Sequence, residues 1–189
     1  MPAQPPPVHA RCQPAPETLM INNQYPAALA TPARMRVLAS IDFDNPQLRA
    51  ALNRITARTA QRTGLPISLA TLVFNTSQMA VGATGLDDTW IAASDGTPVE
   101  WSFCATMVTT GQPYVIPDAR DSEQATNPLV TVDGIASYAG VPLTVSGQIV
   151  GAHCILGTEA HQFTSGHLAE LASAAQEITA LLQEFSDLG

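Results

Sequence analysis

Among the side chains able to do chemistry, the thiols come first. Cys104 and Cys154 could act as a pair for redox sensing or for covalent capture of a ligand. Against that, cysteine is among the most buried residue types and behaves as a small hydrophobe. No Lys or Arg stands beside either one in sequence to lower its pKa. Cys12 makes the count odd, so no disulfide framework follows, and no C-x-x-C spacing marks a metal knuckle. The four histidines, at 9, 153, 161 and 167, form no H-x-x-H or H-E-x-x-H pattern. His153 adjoins Cys154, but successive strand residues face opposite ways, so the two cannot ligate one metal from one strand. Asp118, in Ile116-Pro-Asp-Ala, is either a pocket acid that orients a polar ligand or a residue that caps a turn. Trp101 and Tyr138 could stack on a flat ligand or simply fill the core. There is no phosphate-binding Gly-Lys loop and no nucleophile elbow.

Charge narrows the classes further. Of 189 residues, 8 are basic and 16 acidic, a net charge of -8, and every base is Arg. A Lys-free, acidic chain is a poor binder of nucleic acid, which needs clustered phosphate-neutralising cations. No apolar run reaches the ~18 residues of a membrane span. Met1-Pro-Ala-Gln-Pro-Pro-Pro lacks the basic and apolar regions of a secretory signal, so the reducing cytoplasm is the expected compartment.

These side chains must be positioned by a single domain, the prior for ~150 residues plus a tail. Eight of the fifteen prolines fall within residues 1–32, so residues 1–40 read as a leader, extended or partly disordered, ahead of a domain over 41–189. The alternative is an arm that packs through Leu19, Met20, Ile21 and Tyr25. Asn45-Pro46 caps a first helix that Gly64-Leu65-Pro66 ends. Ile67 to Phe74 and Gln78 to Thr84 read as a hairpin. Residues 87–111 are mostly helical in pattern, with Thr97-Pro98 as cap and first turn of a helix carrying Trp101, Cys104, Met107 and Val108. Tyr114 to Ile116 is a short strand, and 118–134 a loop with one helical turn. Ile135 to Leu143 and Gln148 to Leu156 pair across Ser146-Gly147, and a last helix runs from Thr164 or Ser165 to about Phe185. Helices at both ends around paired strands define an α+β domain with an antiparallel sheet.

The stretch Trp101-Ser-Phe-Cys-Ala-Thr-Met-Val, then Val115-Ile-Pro-Asp-Ala-Arg-Asp, Asn127-Pro-Leu-Val, Ser137-Tyr-Ala-Gly-Val-Pro-Leu and Gly147-Gln-Ile-Val-Gly-Ala-His-Cys resembles the GAF domain of bacterial signalling proteins, over about residues 40–186. The resemblance implies a central antiparallel sheet with the terminal helices on one face. On the other face, the 87–134 insertion would roof a small-molecule pocket. Trp101, Phe103, Cys104, Met107, Asp118, Ile135, Tyr138 and Cys154 are then the expected ligand-binding residues, with no catalytic residue and no metal ligand. The sequence departs from the family's pattern at Leu156-Gly157-Thr158, where an Asp is common. It departs also at Asp121-Ser-Glu-Gln, and at His153, which replaces a usually apolar residue. One branch of the family reduces free methionine-(R)-sulfoxide, but its catalytic and resolving thiols map to 87–100 and 119–130, which contain no Cys. Bilin attachment would need a Cys-His pair in the insertion, and Ala105 follows Cys104.

The last helix carries Leu168, Leu171, Ala175, Ile178, Leu182 and Phe185 at alternating spacings of three and four, the seam of a bundle or coiled coil. Glu170, Glu177 and Glu184 run beside it, and Arg54, Arg58 and Arg62 stripe the first helix. The expectation is therefore a stand-alone sensor or regulatory domain that binds a neutral or weakly polar small molecule of unknown identity. It would form a homodimer through its terminal helices and report to a partner protein. No nucleic acid, membrane or defined cofactor is expected. The other two readings are a redox switch or small enzyme that uses Cys104 with Cys154, and a dimerising assembly module without a ligand.

Overall fold

The computed structural model describes residues 25–87, 89, 91, 94 and 96–187. Cys12 and the Leu19–Ile21 part of the leader lie outside these residues. Within the 1–40 leader, the described part is not extended. It forms helix α1 (Tyr25–Leu29) and helix α2 (Pro32–Ser40). Prolines 26 and 32 do not prevent this, because each sits in a first helical turn, where no N–H is required. Leu29, Val37 and Leu38 are buried, so tertiary burial decided the conformation.

Helix α3 (Pro46–Thr63) starts as its sequence predicts. The Asn45 side chain accepts from the N–H groups of Gln47 and Leu48, and Pro46 occupies the first turn. Strands β1 (Ile67–Val73) and β2 (Ser77–Thr84) form the expected hairpin. Next comes β3 (Thr97–Pro98), then a 3-10 turn over Val99–Trp101, and only then helix α4 (Cys104–Thr110). This corrects the helical reading of 87–111. Thr97-Pro98 is an edge strand paired with Ser77 and Gln78, not a helix cap, and Trp101 does not share a helix with Cys104. Proline is tolerated at a sheet edge, where its missing donor faces no neighbour.

Strand β4 (Tyr114–Ile116), the short helix α5 (Pro128–Thr131) and the hairpin β5 (Ser137–Val145) with β6 (Gln148–Gly157) follow the predicted order. Helix α6 (Ser165–Glu184) closes the domain, capped by Thr164. The six strands run antiparallel in the order β3-β2-β1-β6-β5-β4.

The sheet separates two cores, because strand side chains alternate in direction. On one face, α2, α3 and α6 pack against Ala70, Leu72, Ala139, Val141 and Ile155. On the other, α1 and α4 pack against Ile67, Leu69, Tyr138, Cys154 and Leu156. The chain passes from the second core to the first between α1 and α2, and there Arg34, 3% exposed, ties both helices to the sheet end. Its guanidinium donates to the carbonyls of Leu29 at 2.7 Å, Ile149 at 2.7 Å, Val150 at 3.3 Å, and Val73.

Helices α3 and α6 lie antiparallel within the chain. Arg58 pairs with Glu177 at 2.6 Å and Arg62 with Glu170 at 3.2 Å, so the basic and acidic stripes meet inside one protomer. The heptad seam is also used internally. Leu171, Ala175, Ile178 and Leu182 are buried against the domain's own sheet, each large one worth ~1.5–3 kcal/mol of transfer energy. They are not available as a dimer seam, which corrects that part of the dimer expectation.

Candidate functional site

The site lies between the pocket face of the sheet and the α4 segment. Strands β1, β5 and β6 project Leu69, Tyr138, Cys154 and Leu156 toward Phe103 and Cys104 at the start of α4. Two side-chain contacts hold that start in place. Ser102 donates its hydroxyl to Gln78 of β2 and accepts from the N–H of Ala105, 3.1 Å away. Asn127 donates to the Trp101 carbonyl at 3.1 Å and caps α5 through the N–H of Leu129.

Five of the eight expected residues, Phe103, Cys104, Ile135, Tyr138 and Cys154, line one small cavity of about 40 Å³. Met107 is fully buried in the same core, behind that wall. Trp101 sits at the core's margin, half-buried. Asp118 is elsewhere. It caps the turn Ala119–Asp121, accepting from the Arg120 N–H at 3.1 Å and from its guanidinium at 2.8 and 2.6 Å. Arg120 holds this carboxyl below its ordinary pKa. Of the two readings of Asp118, the structure supports the turn cap, because the nearest cation and backbone donor are two residues away.

Among the described residues, the cavity's wall carries no charged side chain. Besides Gln78 and Thr97, its polar groups meet at one point. The Tyr138 hydroxyl lies 3.1 Å from Cys104 Sγ, and the Cys104 and Cys154 thiols border the same cavity. Gly140 makes room for this cluster. A Cβ there would stand 2.6 Å from the Tyr138 oxygen, 2.9 Å from Met107 Cε and 3.1 Å from Cys154 Cβ. Phe103 braces the Tyr138 ring edge-on, with centroids 5.1 Å apart. The neighbouring Cys154 thiol and the Tyr138 hydroxyl favour the ionised form of Cys104 and lower its pKa against the opposing effect of burial. The Cys154 thiol is pushed well up, by Cys104 beside it and by burial. Burial does the same to Tyr138, which stays a proton donor.

An outer cleft of about 240 Å³ lies between α3, β2 and the residues Leu86, Ile91, Ser94, Gly96 and Thr97. It shares Leu69, Gln78, Leu86, Ile91 and Thr97 with the inner cavity, so it leads toward the thiols. Gln78 and Thr97 line the candidate site, and sequence reasoning missed them. The available signal was Gly96-Thr97-Pro98: a Cβ on Gly96 would meet the Gln78 carbonyl at 2.4 Å, as happens where two backbones approach closely.

His153 points to the opposite face. Its Nδ1–H donates to the Leu69 carbonyl at 2.9 Å and its Nε2 accepts from the Thr59 hydroxyl at 3.1 Å. Both ring nitrogens are engaged. Burial lowers its pKa to about 4. Among the described residues, no three His, Cys, Asp or Glu side chains are grouped to hold a metal, and no helix is long and apolar enough to cross a membrane.

The GAF domain family profile matches residues 47–182. A search of curated proteins finds no match to the chain. Similar solved structures include the GAF domain of an Acinetobacter phosphoenolpyruvate-protein phosphotransferase, at a TM-score of 0.63 and 12% identity, covering 80% of this chain and 90% of that one. The GAF domain of the corresponding Coxiella burnetii protein aligns at 0.62 and 15% identity, covering 80% and 95%. A type II free methionine-R-sulfoxide reductase from Thermoplasma acidophilum aligns at 0.60 and 15% identity, covering 74% and 95%. At these identities the likeness is one of fold.

Proposed function

Because the chain belongs to the GAF family of small-molecule-binding sensor domains, we propose that it is a regulatory sensor whose ligand is small and uncharged. The single observation behind this reading is the small cavity between sheet and α4, walled among the described residues without a charged side chain and continuous with the outer cleft. An ionic ligand would lose its hydration there without a partner. A volume of about 40 Å³ holds only a few water-sized groups, so a larger ligand must extend into the cleft or displace Leu86, Ile91 and Thr97. The report would pass from α4 to α1, which packs against it, and on to a partner protein in the cytoplasm. A homodimer would use the outer side of α6, where Ala172, Gln176 and Ala180 are exposed and uncharged beside Pro113 and Pro142.

The smallness of the inner cavity favours a second reading, an assembly module without a ligand. Native mass spectrometry of freshly purified protein separates the two. A retained small-molecule mass, lost on unfolding, supports the sensor. A bare chain mass, with no thermal stabilisation by a panel of small neutral compounds, supports the module.

A further inference from the structure

We propose that Cys104 and Cys154 form a peroxide-reactive dithiol that closes to a disulfide inside the domain. The two thiols come from opposite walls of one cavity, α4 and β6, and the space above Gly140 adjoins both the Tyr138 oxygen, which touches Cys104 Sγ, and Cys154 Cβ. The Tyr138 hydroxyl stands 3.1 Å from Cys104 Sγ, where it can donate to a thiolate. All three groups are at most 2% exposed. The cavity of about 40 Å³ matches a reactant of the size of hydrogen peroxide, and the shared wall of Leu86, Ile91 and Thr97 marks its way in from the outer cleft.

The chemistry follows from the difference between the two thiols. Cys104 is the one whose ionised form is favoured, by its polar neighbours Cys154 and Tyr138, while Cys154 keeps its proton. The Cys104 sulfur attacks one peroxide oxygen, an S–O bond forms, the O–O bond breaks, and the departing hydroxide takes up the thiol proton as water. Cys154 sulfur then attacks Cys104 Sγ in the resulting sulfenic acid. The S–S bond forms, the S–O bond breaks, and a second water leaves with the Cys154 proton. Two thiols are oxidised by two electrons and one peroxide is reduced to two waters. In a reducing compartment such a bond is transient, which is the behaviour of a sensor rather than of a structural crosslink. This reaction needs only the cavity's walls, whether or not a larger ligand binds.

The experiment uses the full chain with Cys12→Ser, treated with hydrogen peroxide and then denatured in an alkylating agent. Trypsin cuts after Arg62 and Arg120, so Cys104 and Cys154 fall in separate peptides, 63–120 and 121–189. The expected result is loss of both alkylatable thiols, a mass lower by two hydrogen atoms, and one crosslinked peptide pair that dithiothreitol separates. A bulky hydroperoxide should react far more slowly, and Cys154→Ala should accumulate a dimedone-reactive sulfenic acid on Cys104. Two alkylated thiols after peroxide treatment, or a crosslink only between chains, would overturn the proposal. These readouts need no bound ligand, so they stand or fall apart from the ligand-retention measurement.

Discussion

The imidazole of His153 gives the most quantitative expectation. It is buried in the α3 face of the sheet, with its Nδ1–H on the Leu69 carbonyl and its Nε2 on the Thr59 hydroxyl. Its folded pKa, about 4, lies below the ordinary 6.5 because burial penalises the charged ring. Between these values the unfolded chain binds a proton that the folded chain refuses. Stability is therefore fully present above about pH 6.5, falls as pH drops through that window, and levels off below about 4. The difference of roughly two and a half units corresponds to about 3 kcal/mol, at a slope of up to about 1.4 kcal/mol per pH unit. Urea unfolding of wild type and His153→Asn from pH 7.5 to 4 reads this directly. The asparagine amide keeps a donor for the Leu69 carbonyl but does not titrate. At pH 7 it should cost about 1–3 kcal/mol, for the unpaired Thr59 hydroxyl and the lost volume. Carboxylates and the other histidines titrate alike in both proteins, so the gap between the curves isolates His153. It should shift by about 3 kcal/mol in favour of the asparagine variant toward pH 4, closing or inverting. Parallel curves across the window would refute the reasoning.

Replacing Arg34 with Met leaves four carbonyls without their donor and should destabilise the domain by about 3 kcal/mol. It should also speed amide exchange over residues 25–40, and unchanged exchange there would show that α1 and α2 are held by other contacts. Ile178→Glu should abolish folding, because the residue is 0% exposed in the domain's own core. By contrast, Ala172→Glu should leave the melting temperature unchanged while converting a dimer to monomer in sedimentation, and a wild-type monomer at ~100 μM would remove the dimer. Glu177→Gln should change stability by no more than about 1 kcal/mol, its partner Arg58 being partly solvated. Gly140→Ala pushes a methyl into the Tyr138 oxygen and Met107. It should cost about 1–3 kcal/mol by overpacking and fill the cavity, seen as loss of any retained ligand.

Where a signal is local, the sequence alone determined the element. Asn45-Pro46 starts α3, Thr164 starts α6, and Ser146-Gly147 turns β5 into β6, because a cap or a turn is decided by residues a few positions apart. Alternation along β6 likewise put Cys154 and Leu156 on one face and His153 on the other before any packing was known. The order of these elements, with the motifs over 101–154, was enough to identify the family and its antiparallel sheet. What tertiary structure decided was every question of which face meets what. The seam of Leu171, Ile178 and Leu182 has the same spacing whether it meets a second chain or its own sheet, and burial against β5 and β6 settled it. Thr97-Pro98 could begin a helix until β2 offered Gln78 as a strand partner nineteen residues upstream. The leader's prolines suggested an extended chain, and the helices formed because Leu29, Val37 and Leu38 found cores to enter and Arg34 found three carbonyls at the sheet's end and that of Leu29 in α1. Asp118 met Arg120 outside the pocket, whereas Cys104 met Cys154 across fifty residues inside it. Such meetings rest on long-range contacts whose chain-entropy cost is repaid only by the packing of the whole domain.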